Sequence, residues 1–344
     1  MNPGSEVRKF LKRLKLILWR IRTSPKAFRL FRQVLENNIY HFRRYYKWSG
    51  VKRKYETQNQ LRAVITKDYH KLEKGLSLKA PRVGFGQQAV RRLVSNVRQY
   101  DDRYGRDETA QVAVNVLTAY HEFNLEHDLE DQDLYQTLTA LKNGDHSNGA
   151  FTCDGGVEPV TKEQIHEAAV RDLRPFFASR HSIRQFASDK VDISLIEQAV
   201  AMAQTTPSVC NRQPWKVHII ENEAVRQKAL ELQGGNRGFG DQASKVLIIT
   251  TEMGSYLWPG ELNQCWVSGG MFAMSLVYAL HSLGLGTCCL NWCLNYRTDQ
   301  ELKKLVGMDE SEATIMLLAV GHLPDRLNVA QSHRRNRQDM LVTH

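Results

Sequence analysis

Two short stretches hold the residues best suited to chemistry. Arg180-His181-Ser182-Ile183-Arg184-Gln185-Phe186 packs two guanidiniums and a hydroxyl into five residues. Such a set suits a phosphate, because arginine offers bidentate forks and serine adds a short donor. Pro207-Ser208-Val209-Cys210-Asn211-Arg212-Gln213-Pro214-Trp215 follows after one helix length. It reads as a helix end running into a polar loop before an apolar strand. Its hydroxyl and amide groups are of the kind that read the edge of a flat heterocycle. A phosphate clamp with an edge reader implies a nucleotide-like ligand. Plainer readings exist for both pieces. Arg180 and Arg184 have the spacing of neighbours on a solvated helix. Ser208 and Asn211 have the chemistry of end-of-helix turn residues.

Taken together, the two stretches resemble the nitroreductase family of FMN-dependent oxidoreductases, whose pattern is Arg-Arg/His-Ser-x-Arg-x-Phe and then Pro-Ser-x-x-Asn-x-Gln-Pro-Trp. Gly269-Gly270-Met271 through Gly284-Leu285-Gly286-Thr287 resembles the family's long apolar helix ending in Gly-Leu-Gly. Ala319-Val320-Gly321-His322-Leu323-Pro324 resembles its last strand. The resemblance covers residues 176 to 344. It implies a three-layer α/β (α+β) fold, with a central, mostly antiparallel sheet between helices, and FMN as cofactor with NAD(P)H as electron donor. It also implies a homodimer built on the 261–283 helix, with two flavin sites across the interface, and a small-molecule acceptor. By the same resemblance Arg180, Ser182 and Arg184 hold the FMN phosphate and ribityl chain, and His181 adds main-chain contacts. Pro207, Ser208 and Asn211 lie along the isoalloxazine ring, with Gln213 near its pyrimidine edge. Arg334 and Arg335, in Ser332-His333-Arg334-Arg335, resemble the closing basic motif that returns to the phosphate. The family's chemistry passes hydride through flavin N5 to an organic acceptor. An alternative is a flavin-binding scaffold with vestigial turnover, recruited to a membrane assembly.

Charge developing at flavin N1–O2 calls for a cation, and Arg184 or Arg212 would serve. No acid–base residue is demanded, and no Ser-His-Asp or Cys-His set stands out. The Glu-Gly-x-Gly segment that some members place over the flavin is replaced by Cys288-Cys289-Leu290-Asn291-Trp292, and long lid insertions of the deiodinase type are not apparent. Met253, Tyr256 and Trp258 suggest an acceptor pocket, or loop packing. Gly234-Gly235-Asn236-Arg237-Gly238-Phe239-Gly240 lacks the Gly-Lys-Ser/Thr ending of a phosphate loop and reads as a mobile loop. His70 and Glu73 share a helix face but are too few for a di-metal site. Cys288, Cys289 and Cys293 have no partner cluster or His pair to make a zinc pattern. No metal is expected, and these thiols read as buried.

The elements that must position these groups follow from pattern. Residues 5–47 read as a basic helical stretch, with Phe10, Leu14, Ile17 and Ile21 at helical spacing beside Trp19. Residues 60–145 read as mostly helical, with a helix ending at Gly75 as its C-cap and a turn at Arg82-Val83-Gly84-Phe85-Gly86. His-x-x-Glu-Lys-Gly-Leu followed by Gly-Phe-Gly resembles the N-terminal extension of a nitroreductase subgroup associated with bacterial surface-polysaccharide biosynthesis. The divisions expected are a basic arm (1–60), a helical extension (61–145), a linker (146–160) and the flavin domain (161–344). Within that domain helices are expected near 162–178, 194–205, 222–233, 261–283 and 298–306, the second opening on a Ser194-x-x-Glu197 capping box. Strands are expected at 215–221, 245–251, 286–292 and 314–320, each apolar and partly β-branched.

Charge separates the arm from the rest. Residues 1–60 hold 16 Lys and Arg against 3 acids, net +13, whereas the whole chain is +10, so the other 284 residues sum to −3. That pattern suits a helix on an anionic membrane surface, or a helix packed on the protein's own core with its basic face solvated. Nucleic acid is a weaker option, since no recognised binding fold accompanies the charge. No transmembrane run or signal-peptide core is visible. A cytoplasmic location follows as the default, with a peripheral position on the inner face of the membrane left open.

Overall fold

The computed structural model describes residues 25–52, 54–143, 154–169, 172–330, 332, 334 and 336–344. The apolar set Phe10 to Ile21, along with His333 and Arg335, lies outside the described residues, as does most of the expected linker. A long helix, α1 (Pro25–Trp48), comes first. Four helices then build a unit with its own core: α2 (Gln58–Leu76), α3 (Gln87–Tyr104), α4 (Glu108–Glu126) and α5 (Gln132–Asn143). Leu61, Ile65, Leu72, Leu93, Val97, Tyr100, Leu117 and Tyr120 fill that core and are fully buried. Two short helices, α6 (Lys162–Ala169) and α7 (Arg174–Ser179), lead into the sheet domain.

The sheet bears out the expected α+β class. Its strands are β1 (Trp215–Ile220), β2 (Lys245–Glu252), β3 (Leu285–Asn291) and β4 (Glu312–His322), in order β1-β2-β4-β3, and every neighbouring pair is antiparallel. Alternation along each strand divides the side chains between two layers. One face packs Leu247, Ile249, Leu318 and Val320 against α8 (Ile193–Ala203) and α10 (Gln264–Ser282). The other packs Val246, Ile248, Leu317 and Ala319 near α9 (Glu223–Gln233) and α11 (Tyr296–Val306). The inward side of α10 carries Phe272, Leu276 and Leu280. Its far side leaves Trp266, Val267, Met271 and Met274 exposed.

Local structure corrects some expectations and adds detail to others. Gly75 is not a left-handed C-cap, because α2 continues to Leu76 and is capped by Ser77. Gly75 lies instead where a Cβ would stand 1.9 Å from the Phe85 ring, so the position requires the smallest side chain. The capping box belongs to α2, where Thr57 and Gln60 bond reciprocally, and not to α8, whose N-cap is Asp192 bonded by the Ser194 N–H. The Gly234–Gly240 segment is a turn held by buried Asn236, whose Nδ2 donates to the Leu230 carbonyl at 2.6 Å. The described end of the linker lies along α4, with Gly155 against Asn115 and Val116. Cys288 is buried, but Cys289 and Cys293 are exposed.

One face of α1 packs on the sheet domain. Tyr40 donates to Asp299 at 2.8 Å, Arg44 Nε donates to the Glu310 carbonyl at 2.8 Å, and the Asn37 amide oxygen accepts from the Tyr296 N–H at 3.0 Å. Tyr45 is buried with Met253, Tyr256 and Cys265. Met253 and Tyr256 are each 1% exposed. They are packing residues of this joint and not the lining of an acceptor pocket.

Candidate active site

The clamp stretch leaves α7 at Arg180 and runs extended along the outer edge of β3. The Ile183 N–H donates to the Thr287 carbonyl at 2.8 Å, and the Ala187 N–H donates to the His322 carbonyl at 2.9 Å. Buried Ile183 and Phe186 fix the segment. Gly286 and Gly321 make room for them, since a Cβ there would stand 3.0 Å from Ile183 and 2.6 Å from Phe186. Ser182 and Arg184 are left exposed, and Arg180 and His181 are half-buried. Arg184 lies 5.9 Å from the Phe239 ring centre, and its guanidinium makes only a long hydrogen bond of 3.5 Å to the Ser182 carbonyl among the described residues. Neither Arg180 nor Arg184 forms an ion pair with a described residue. Arg44, Arg62, Arg92, Arg106 and Arg212 all do. Two neighbouring unpaired guanidiniums beside a serine hydroxyl fit an anion. The C-terminal segment reaches this stretch at Gln185, whose amide oxygen accepts from the Asn328 N–H at 2.9 Å. Arg334 is exposed and, among the described residues, donates only to the Ser332 carbonyl at 2.8 Å.

The loop stretch follows α8. Its backbone is strained: Cys210, Asn211 and Gln213 have φ of 51°, 51° and 42°. Residues with side chains rarely adopt such values, and they cluster where surrounding contacts over-determine the chain. Those contacts are visible. The Ser208 hydroxyl accepts from the Gln213 N–H at 3.0 Å, and the Asn211 N–H donates to the Ser208 carbonyl at 3.0 Å. Trp215 stacks on Phe272 at 4.9 Å and donates its indole N–H to the Ser268 carbonyl at 2.9 Å. Pro207 and Gln213 are exposed, and Ser208 and Asn211 are half-buried.

Arg212 does not supply a free cation. Its guanidinium is buried, with Nη2 to Glu261 Oε1 at 2.6 Å, Nη1 to Glu261 Oε2 at 3.1 Å, Nη1 to the Ser255 carbonyl at 2.7 Å and Nε to the Val209 carbonyl at 2.9 Å. Burial raises the Glu261 pKa, but the hydrogen bond from Arg212 and the backbone N–H of Leu257 hold it below the usual carboxylate range. The pair ties the loop to the 253–261 segment. Sequence reasoning missed it because the partners lie 49 residues apart.

The two stretches are not brought together within one chain. Ser182 bridges Thr287 of β3, whose partners across the sheet are Val320 and then Lys245. The loop enters β1 at Trp215, paired with Thr251. Four inter-strand steps and six residues along β2 separate Ser182 from Trp215, about 28 Å at ordinary strand spacings.

Beside the loop is a cleft of 780 Å³ whose opposite wall is the helical unit: Asn59, Arg62, Thr66 and Tyr69 of α2, with Asp107, Glu108, Thr109 and Val112 at the start of α4. Asn211, Gln213, Lys216 and Glu252 line the near side. Lys216 rests on Glu312 at 2.9 Å, and Arg62 is held by Asp107 at 2.7 Å. A second cavity, of 630 Å³ between α3 and α5, is remote from both stretches. Among the described residues no cluster of three metal-ligating side chains occurs, and His70 pairs with Glu73 at 3.3 Å.

The nitroreductase family model matches residues 177–250 and 231–322. The chain resembles iodotyrosine deiodinase of Drosophila melanogaster, 25% identical over 232 residues, 58% of this chain and 79% of that protein. It also resembles an NADH dehydrogenase of Thermus thermophilus, 22% identical over 184 residues, 44% and 87% of the two chains. Among solved structures, an FMN-dependent nitroreductase from Clostridium difficile is 14% identical with TM-score 0.40, covering 46% and 91%. A nitroreductase family protein from Streptococcus pneumoniae is 18% identical with TM-score 0.42, covering 50% and 100%. The C-terminal half of this chain resembles the nitroreductase family of flavin oxidoreductases, matching its model over residues 177–322, and the helical N-terminal region is unassigned.

Proposed function

We propose that the protein is an FMN-dependent NAD(P)H oxidoreductase working as a homodimer, in which each FMN lies between the clamp of one chain and the loop of its partner. The observation that carries this reading is the opposed placement of the two stretches. Unpaired Arg180 and Arg184 with Ser182 stand at one corner of the sheet, and the strained Ser208–Gln213 loop stands at the other. A ligand that needs both requires two chains. The exposed apolar side of α10, from Trp266 to Met274, supports a partner chain.

In this reading Arg180, Ser182 and Arg184 bind the phosphate end and His181 supports them with its main chain. Pro207, Ser208, Asn211 and Gln213 orient the ring, while Arg212 with Glu261 keeps that loop rigid. Arg334 and Arg335 are candidates to close over the phosphate. FMN held there would supply the redox chemistry, hydride transfer from NAD(P)H to an acceptor. The helical unit walls the cleft with Asn59 and Thr66, facing Asn211 and Gln213 of the loop, and Arg62, Asp107, Glu108, Lys216 and Glu252 add charge to the same lining. A polar organic acceptor fits such a lining. The likeness of residues 70–86 to a polysaccharide-associated subgroup gives that pathway as a setting to test.

The test is direct. Purified protein should show flavin absorption bands that bleach anaerobically with NADH or NADPH. A colourless protein that fails to bind added FMN contradicts the reading. Bound FMN that neither donor reduces favours the scaffold alternative.

A further inference from the structure

We propose that α1 docks the protein onto an anionic bilayer surface through the face it turns away from the rest of the chain. The contacts of Asn37, Tyr40 and Arg44 with the sheet domain fix which way this helix faces. On the opposite side Phe28, Phe31, Leu35, Ile39, Phe42 and Tyr46 recur at spacings of 3, 4, 4, 3 and 4 residues. At 3.6 residues per turn they fall within a sector of roughly 80°. All six are exposed, from 36% at Phe31 to 58% at Phe42. A contiguous apolar stripe of this length on a folded protein marks an interaction surface. It lies among the described residues, apart from the Phe10–Ile21 set in which the sequence suggested a membrane contact.

Charge selects the occupant. Exposed Arg29, Arg32, Arg43 and Lys47 run along one flank of the stripe, and with Arg44 turned into the sheet domain the helix presents five cations against Glu36, net +4. A second copy of this helix laid on the stripe would set +4 against +4. A nucleic-acid duplex would meet the arginines but leave Leu35, Ile39 and Phe42 without an apolar partner. An anionic bilayer satisfies both: the stripe enters the headgroup boundary, and the flank sits at the charged surface. The helix then lies in the membrane plane, since no described helix is long and apolar enough to cross it.

The experiment is co-sedimentation of the full-length protein with phosphatidylglycerol-containing vesicles and with phosphatidylcholine vesicles. Binding to the first, weak binding to the second, and release by salt are expected. Phe31→Ser with Phe42→Ser should lower partitioning at least tenfold. Arg29→Gln with Arg43→Gln should lower it roughly 30-fold. Far-ultraviolet circular dichroism checks that each variant remains folded, and single Phe42→Ser provides the mildest version. Wild-type protein left in the supernatant with phosphatidylglycerol overturns the proposal, as does partitioning unchanged in both variants. Dissociation of a dimer by the Phe→Ser pair, seen by sedimentation velocity, overturns it in favour of a second copy. Retention of duplex DNA without vesicle binding overturns it in favour of nucleic acid.

Discussion

Arg212 grips Glu261 with two hydrogen bonds, at 2.6 and 3.1 Å, in a position where both side chains are largely shielded from water. A buried pair of this kind is costly to break, because the surviving charge has no solvent to return to. Arg212→Met should therefore destabilise the fold by about 3–5 kcal/mol. Arg212→Lys should recover only part of the loss, since an ammonium cannot reproduce the fork. Urea titration measures both. A loss below about 1 kcal/mol for Arg212→Met would show that the loop does not depend on this tie.

Glu312 gives the fold an acid-sensitive element. Burial raises its pKa, but hydrogen bonds from His218 and Thr250, each 2.6 Å, and Lys216, at 2.9 Å, outweigh it and bring the group down to about 2 from an ordinary 4.5. A carboxyl depressed in the folded state stabilises above its unfolded pKa and loses that contribution as pH falls. Stability should be fully present above pH 4.5 and decline towards pH 2. Glu312→Gln should be less stable at neutral pH by about 1–3 kcal/mol, with a shallower acid limb. Parallel pH–stability curves for the two proteins would contradict this.

Arg180→Ala and Arg184→Ala should each weaken FMN binding. A lost charge-assisted hydrogen bond costs about 1.5–3 kcal/mol, or one to two decades in affinity. Isothermal titration with FMN measures it. Retention of wild-type affinity by the double variant would remove the phosphate assignment.

Much of the sheet domain was legible because its signals are local. The four strands are short apolar runs bounded by turn residues, and α10 is apolar on nearly every side. Both chemical stretches could be read from residue types alone. What escaped depends on long-range pairing. The order β1-β2-β4-β3 decides that Ser182 and Asn211 stand at opposite corners, and no local pattern encodes it. Arg212 looked like a free cation until Glu261 came beside it. Gly75 looked like a cap because glycine commonly ends helices, whereas here it admits the Phe85 ring. The basic arm divided the two readings of α1 between its faces: Tyr40 and Arg44 pack on the sheet domain, while Phe31 and Phe42 stay exposed.

The central claim, one FMN shared between two chains, is tested most directly by a mixed dimer. One chain carries Arg180→Ala with Arg184→Ala, and the other carries Ser208→Ala with Asn211→Ala. Each variant should bind FMN weakly as its own homodimer. If each site takes its clamp from one chain and its loop from the other, the mixed dimer combines both lesions in one site and leaves its second site intact. Titration should then recover wild-type affinity with one FMN per dimer. No recovery in a dimer shown to contain both chains would mean that clamp and loop act within a single chain, and would contradict the account.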